Sequence, residues 1–225
     1  MVRAIVTDIE GTTTSLSFVK DVLFPYSTRH LPAFVRSQAH RPEVRQLLDE
    51  ARQVAGGAGD DERLVEVLLK WIETDQKLAP LKGLQGLLWE EGYRQGSFQS
   101  HVYEDAARRL REWHRQGLRL YVYSSGSEHA QRLIFGYTPF GDLNPLFSGY
   151  FDTRVGGKKE ARSYAAIVRE LGLPADEVLF LSDVREELDA ARASGVRTWC
   201  LARGEGPAVD PGPHPVAQSF DELRL

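Results

Sequence analysis

The pattern that most constrains this chain is a series of short apolar runs, each ending in a polar or glycine-containing loop. Val2 to Thr7 reads as a short buried strand closed by Asp8. LRLYVYSSGS, from Leu118, is an apolar run ending in Ser and Gly, and SEHAQRLIFGY after it has a helical texture. GYFDTRVGGKKE holds a strand-like piece and a Gly turn, followed by the helix ARSYAAIVREL, which ends at Gly172. DEVLFLSD runs as a strand into a polar loop at Ser182-Asp183, then a helix ends at Gly195, and VRTWCLA is one more strand. Strands alternating with helices predict an α/β, Rossmann-like core: a parallel sheet with helices on both faces.

Between the first strand and the second, the pattern is helical for a long way. PEVRQLLDEARQVA puts Val44, Leu47, Leu48, Ala51 and Val54 on one helix face. GGAGDD, residues 56–61, breaks that helix and offers N-caps for the next, which carries Leu64, Val67, Leu68, Trp71 and Ile72 at helical spacing. LQGLLWEEGYRQG is a weaker third helix, and HVYEDAARRLREWHRQG a fourth closed by Gly117. The expected organisation is a core made of residues 1–15 and 101–225, with a helical cap inserted at 16–100. A lid over the active site is the economical use of such an insert. Residues 203–215, RGEGPAVDPGPHP, form a Pro/Gly loop peripheral to these motifs.

Composition narrows the function classes. A chain of 225 residues suits one large domain or a core carrying a smaller insert, and 42% hydrophobic residues suffice for a real core. A net charge of -4 implies no general attraction to nucleic acid or an anionic membrane. No apolar stretch approaches the ~20 residues of a membrane helix, and no charged-then-apolar signal opens the sequence. The single Cys200 excludes an internal disulfide and fits a reducing compartment, so a cytoplasmic location is expected. Within VRTWCLA this Cys reads as a buried apolar thiol. The six histidines lack metal-ligand spacing, which argues against zinc.

Residues at the carboxyl ends of parallel strands share one crevice. Here those ends carry Asp8 and Glu10, Ser124 and Ser125, Lys158, and Asp183. Asp8 and Asp183 are hard oxygen ligands suited to Mg²⁺, which takes one or two carboxylates, keeps waters and binds substrate phosphate. Asp8 can also attack phosphorus as a nucleophile, with Lys158 as the cation that offsets anion repulsion. Ser124 and Ser125 can hold phosphate oxygens, and Glu10 can protonate the leaving oxygen and then activate water. Singly, each has a plainer reading. The carboxylates can be turn residues, the serines and Asp183 N-caps, and Lys158-Lys159 a solvated pair. Glu186 and Glu187 are read as favouring a helix N-terminus through its dipole. Their order, each after its own strand, points to one site.

These residues resemble the haloacid dehalogenase-like hydrolases, with their nucleophilic Asp, Ser/Thr, Lys and metal-binding Asp. DIEGTTTSLSFVKDVLFPY, HVYEDAARRL, YVYSSGSEHAQRLIF, GDLNPLFSGYFDT and LFLSDVREELDAA resemble, more closely, the enolase-phosphatase family of methionine salvage. Glu10 is the most telling feature, because most phosphatases of the superfamily carry Asp two residues after the nucleophile. The resemblance implies a monomer with one Mg²⁺, acting on a small-molecule phosphate ester, a diketo-methylthiopentyl phosphate that is enolised and then dephosphorylated. It implies Asp8 and Asp183 as metal ligands, with Glu10 contributing its backbone carbonyl, and Ser124, Ser125 and Lys158 as substrate-binding residues. Two other readings compete: a Mg²⁺-dependent phosphatase with no enolase step, and a non-enzymatic scaffold that keeps the fold.

Overall fold

A computed structural model of the chain describes residues 1–57, 59–204 and 210–225. Ala58, inside the break read at 56–61, and residues 205–209 of the Pro/Gly loop lie outside the described residues. The chain divides into two compact units, one of Met1–Leu16 with Ser100–Leu225 and one of Ser17–Gln99.

The first unit is built on a sheet of six parallel strands: β1 (Ala4–Thr7), β2 (Arg119–Tyr123), β3 (Phe147–Phe151), β4 (Val178–Ser182), β5 (Arg197–Leu201) and β6 (Val216–Ala217). Their spatial order is β3-β2-β1-β4-β5-β6. Both faces are buried, so the strands read as near-continuous apolar runs rather than alternating ones. The period of two survives in which face each residue joins. Ile5, Leu120, Val122, Leu179 and Leu181 pack with Ala106, Leu110 and Trp113 on one side. Ala4, Val6, Tyr123, Val178 and Phe180 pack with Tyr164, Ile167 and Leu188 on the other. Truncating a fully buried side chain such as Leu110 to Ala costs about 2–5 kcal/mol.

Counting helices along the whole chain, α1 (Leu16–Phe18), α2 (Phe24–Gln38), α3 (Pro42–Val54), α4 (Asp61–Glu73) and α5 (Ala79–Arg94) precede β2. So does α6 (Glu104–Arg115), and α7 (Glu128–Gly136), α8 (Ala161–Leu171) and α9 (Arg185–Ala193) follow it. A π-helical turn, Val19–Leu23, joins α1 to α2. The second unit has its own core, in which Leu31, Val35, Val44, Leu48, Leu64, Leu68, Leu84 and Leu88 meet. Asp60 caps α4 by accepting from the Arg63 N–H at 2.9 Å, the role its position after the glycines suggests. The third helix of the sequence pattern starts earlier than its apolar residues indicate, at Ala79-Pro80, because Pro at the second position begins the helix without wasting an N–H. Among the described residues no helix is long and apolar enough to cross a membrane.

Candidate active site

The chain order places β1 between β2 and β4, so the sheet reverses direction of growth at β1. The carboxyl edge at such a reversal opens a crevice. Thr7 pairs with Leu181, and the Asp8 N–H donates to the Leu181 carbonyl at 2.9 Å. Asp8 therefore emerges beside Ser182 and Asp183.

The loop after β1 is wired mostly to itself. The N–H groups of Thr12, Thr13 and Thr14 all reach the Ile9 carbonyl, at 3.2, 2.9 and 2.9 Å, and the Gly11 N–H reaches the Thr14 carbonyl at 2.8 Å. Thr7 and Thr13 hydroxyls donate to the Asp8 carbonyl. Gly11 has φ +71°, and a Cβ there would sit 2.2 Å from Asp183 Oδ2. Only glycine meets both the left-handed backbone and that close approach. Asp8 itself is buried, and its Oδ1 accepts from the Ile9 N–H at 2.8 Å. Glu10 is solvent-exposed and forms a bridge with Thr14.

Lys158 lies in the turn between β3 and α8, seven residues beyond the strand end rather than on it. The turn is held from outside. Tyr123 Oη donates to the Gly156 carbonyl at 2.9 Å, Ser163 Oγ to the Gly157 carbonyl at 2.8 Å, and Tyr164 Oη to the Lys158 carbonyl at 2.6 Å. Three successive carbonyls are thus fixed, and the Lys158 side chain is delivered to Asp8. Its Nζ lies 2.6 Å from Asp8 Oδ1 and 2.7 Å from Glu187 Oε2, with the side chain 10% exposed. Lys159 points away, 63% exposed and 3.8 Å from Glu186.

Ser124 is buried, and its Oγ accepts from the Gly126 N–H at 3.2 Å, while Ser127 is the N-cap of α7 through the Ala130 N–H. Ser125 is half-buried beside it. One member of the site has no distinctive sequence signal. Glu187, read as a dipole-favouring residue at a helix start, is turned inward and buried, with Oε2 accepting from Ser182 Oγ at 2.9 Å as well as from Lys158. Glu186, its neighbour, is exposed as that reading expects. Helix position alone does not separate them, since each carboxylate has a buried alanine one turn on, Ala190 for Glu186 and Ala191 for Glu187.

The electrostatics follow from burial. Desolvation would lower the Lys158 ammonium, but the Asp8 and Glu187 carboxylates outweigh it and hold it above the ordinary lysine range. Burial and then the Asp8 charge push Asp183 up to about 7, and the same causes raise Glu187. Asp183 Oδ1 is buried with no hydrogen-bond partner among the described residues. Three carboxylates around one ammonium, one of them with an unpartnered oxygen, leave negative charge that a hard dication would neutralise. The donors are all oxygen, which fits Mg²⁺. Among the described residues no three His, Cys, Asp or Glu side chains are grouped as a metal cage. Cys200, on β5, is buried, and burial pushes its thiol up to about 11, so it is inert.

The haloacid dehalogenase-like hydrolase family matches residues 2–195. The curated enolase-phosphatase E1 of Thioalkalivibrio sulfidiphilus is 62% identical over 98% of both chains. That of Methylococcus capsulatus is 56% identical, over 100% of this chain and 98% of its own. Among solved structures, the UTR4 protein of Saccharomyces cerevisiae is similar with a TM-score of 0.85 at 37% identity, covering 99% of this chain and 100% of its own.

Proposed function

The chain belongs to the haloacid dehalogenase-like hydrolases and, within them, to the enolase-phosphatases, and from that premise we propose that it converts 2,3-diketo-5-methylthiopentyl-1-phosphate of methionine salvage to an acireductone and phosphate. The chemistry rests on one observation above the rest. A buried Lys158 ammonium bridges Asp8 and Glu187 beside the unpartnered Asp183 oxygen.

Asp8 is assigned as the nucleophile. Its Oδ1 is occupied by Lys158 and the Ile9 N–H, so Oδ2 is the oxygen that attacks phosphorus. The bond from phosphorus to the ester oxygen breaks, and Glu10 gives that oxygen its proton. Water then loses a proton to Glu10 and attacks the aspartyl phosphate, freeing phosphate and regenerating Asp8. The proton taken from that water restores Glu10 to the acid form in which it began the cycle. Lys158, ion-paired to Asp8 and Glu187, is assigned to the enolisation as the cation beside the developing enolate. Ser124 and Ser125 are assigned to the phosphate oxygens. Asp8, Asp183 and the Glu10 main-chain carbonyl would hold Mg²⁺. When bound, that ion supplies positive charge against the carboxylates and the phosphate, relieving the repulsion that opposes attack. Selection of the thioether chain is assigned to the helical insert or to the segment through Phe18 and Val19, an apolar contribution of about 1–3 kcal/mol per methylene-sized group.

The test is incubation with the diketo phosphate and Mg²⁺, following enol ultraviolet absorbance and phosphate release together. Both signals are expected, both lost in EDTA and restored by Mg²⁺, with little support from Ca²⁺ because its looser coordination misplaces the nucleophile. Phosphate release with no enol signal would leave the phosphatase without an enolase step. Full activity in chelator would remove the metal assignment.

A further inference from the structure

Arg203 follows β5 by two residues, at the start of the Pro/Gly loop that the sequence pattern sets apart from the motifs. Its side chain is only 6% exposed. The guanidinium sits 4.1 Å from the Tyr103 ring and 5.1 Å from the Phe220 ring, measured from Cζ to each centroid. Nε and Nη2 both donate to the main-chain carbonyl of Thr12, at 3.0 and 2.7 Å. Nη1 donates to Asp105 Oδ2 at 2.7 Å, and that oxygen also accepts from the Phe220 N–H at 2.7 Å. A buried arginine thus spends two of its donors on one backbone oxygen of the Asp8 loop, and its counter-ion is anchored to α6 and to the C-terminal segment.

Thr12 is not an arbitrary point in that loop. Its N–H, with those of Thr13 and Thr14, converges on the Ile9 carbonyl, and the Ile9 N–H orients Asp8 Oδ1. A shift at Thr12 is therefore carried through Ile9 to the carboxylate. Charge-assisted hydrogen bonds in a dry setting are strong and directional, and a guanidinium fork fixes position in a way a single ammonium cannot. We infer that Arg203 is a positioning residue for the reaction: by chelating the Thr12 carbonyl it sets the Asp8 carboxylate at its attacking distance and angle. A displacement of about 1 Å at a reacting group can cost ~10²-fold in rate, so the effect belongs to kcat. The inference rests on the assignment of Asp8 as nucleophile.

The experiment uses the full chain with Arg203→Lys, which keeps a cation for Asp105 but can hold the Thr12 carbonyl with one donor at most. Asp105→Asn, which keeps shape and an acceptor, is measured beside it, and Ile167→Val, in the opposite core layer, is the destabilised control. Three quantities are read: kcat and KM per folded molecule, melting temperature, and hydrogen–deuterium exchange of the Gly11–Thr14 amides. Arg203→Lys is expected to lower kcat at least tenfold with KM within about twofold, and to speed exchange in that segment. Asp105→Asn is expected to move both in the same direction and less, and the control neither. Wild-type kcat in Arg203→Lys, a rate loss without faster loop exchange, or an equal loss in the control would overturn the inference. If Arg203→Lys does not fold, Asp105→Asn decides by the same readings. A wild-type chain that turns over no phosphate ester overturns the functional reading instead, and the exchange arm then decides whether Arg203 holds the loop.

Discussion

The loop after β1 and the turn before α8 deliver the two ends of one ion pair, Asp8 and Lys158, yet they are held in opposite ways. The Asp8 loop closes on its own backbone, with three N–H groups converging on one carbonyl and neighbouring threonine hydroxyls filling in. The Lys158 turn has carbonyls fixed by hydroxyls from Tyr123 on β2 and from Ser163 and Tyr164 on α8. A loop closed largely on its own backbone, and anchored from outside at Thr12 by Arg203, fails at single positions. A turn wired from outside distributes the same task over several side chains, so each loss is smaller.

The largest expected effect comes from the nucleophile. Asp8→Asn is nearly isosteric and leaves Glu187 as a partner for Lys158, so phosphate release should vanish while the melting temperature moves little. Wild-type-like phosphate release would end the covalent mechanism. Next, Lys158→Ala should lower kcat by ~10²–10³, as expected on losing one charge-stabilising donor, and steady-state kinetics read it directly. Third, Gly11→Ala forces a strained φ and a Cβ onto the Asp183 carboxylate, so it should cost at least about 1–3 kcal/mol in denaturant unfolding. Fourth, Tyr164→Phe removes a single hydroxyl from the Lys158 carbonyl and should cost ~1–3 kcal/mol, with only a few-fold loss of kcat. If it cost more activity than Gly11→Ala, the contrast between the two loops would be reversed. Smallest is Lys159→Ala, whose exposed ammonium should leave turnover within a few-fold of wild type.

The same contrast explains what could be read from sequence. Strand ends announce themselves, because an apolar run stops at Asp8, Ser124 or Asp183 and the pattern changes within a residue or two. Helix ends at Gly172 and Gly195 are equally local, both glycines having positive φ. Ser124-Ser125-Gly126-Ser127 supported two readings, and Ser127 does act as the cap while Ser124 turns inward to Gly126. Glu187 reads in sequence like its exposed neighbour, because a carboxylate in a first helical turn looks the same whether it faces water or a lysine. The segment through Phe18 and Val19 is helical with a π turn, and Phe18 is buried. The hydroxyls on the Lys158 turn leave no trace in the sequence, since a tyrosine on a strand or a tyrosine or serine in a helix gives no hint of which distant carbonyl it meets. Periodicity reports neighbours within an element and is silent on partners across the chain.

The division of the first unit has a consequence for how the chain is made. β1 is central in the sheet, but both strands it pairs with lie more than a hundred residues downstream, at Arg119 and Val178. At ~5–20 residues per second of synthesis, Ala4–Thr7 leaves the ribosome on the order of ten seconds before its first partner exists. The helical unit, with an apolar core of its own, is completed within that interval. Its two flanking segments lie together in the finished protein, the Ser15 N–H donating to His101 Nδ1 at 3.0 Å and the Tyr103 N–H to the Thr13 carbonyl at 2.9 Å. An insert that has already condensed replaces a long floppy excursion with a compact one and lowers the entropy cost of closing it. The order of synthesis thereby turns the long-range pairing of β1 with β2, Ala4 with Arg119, into a nearly local one.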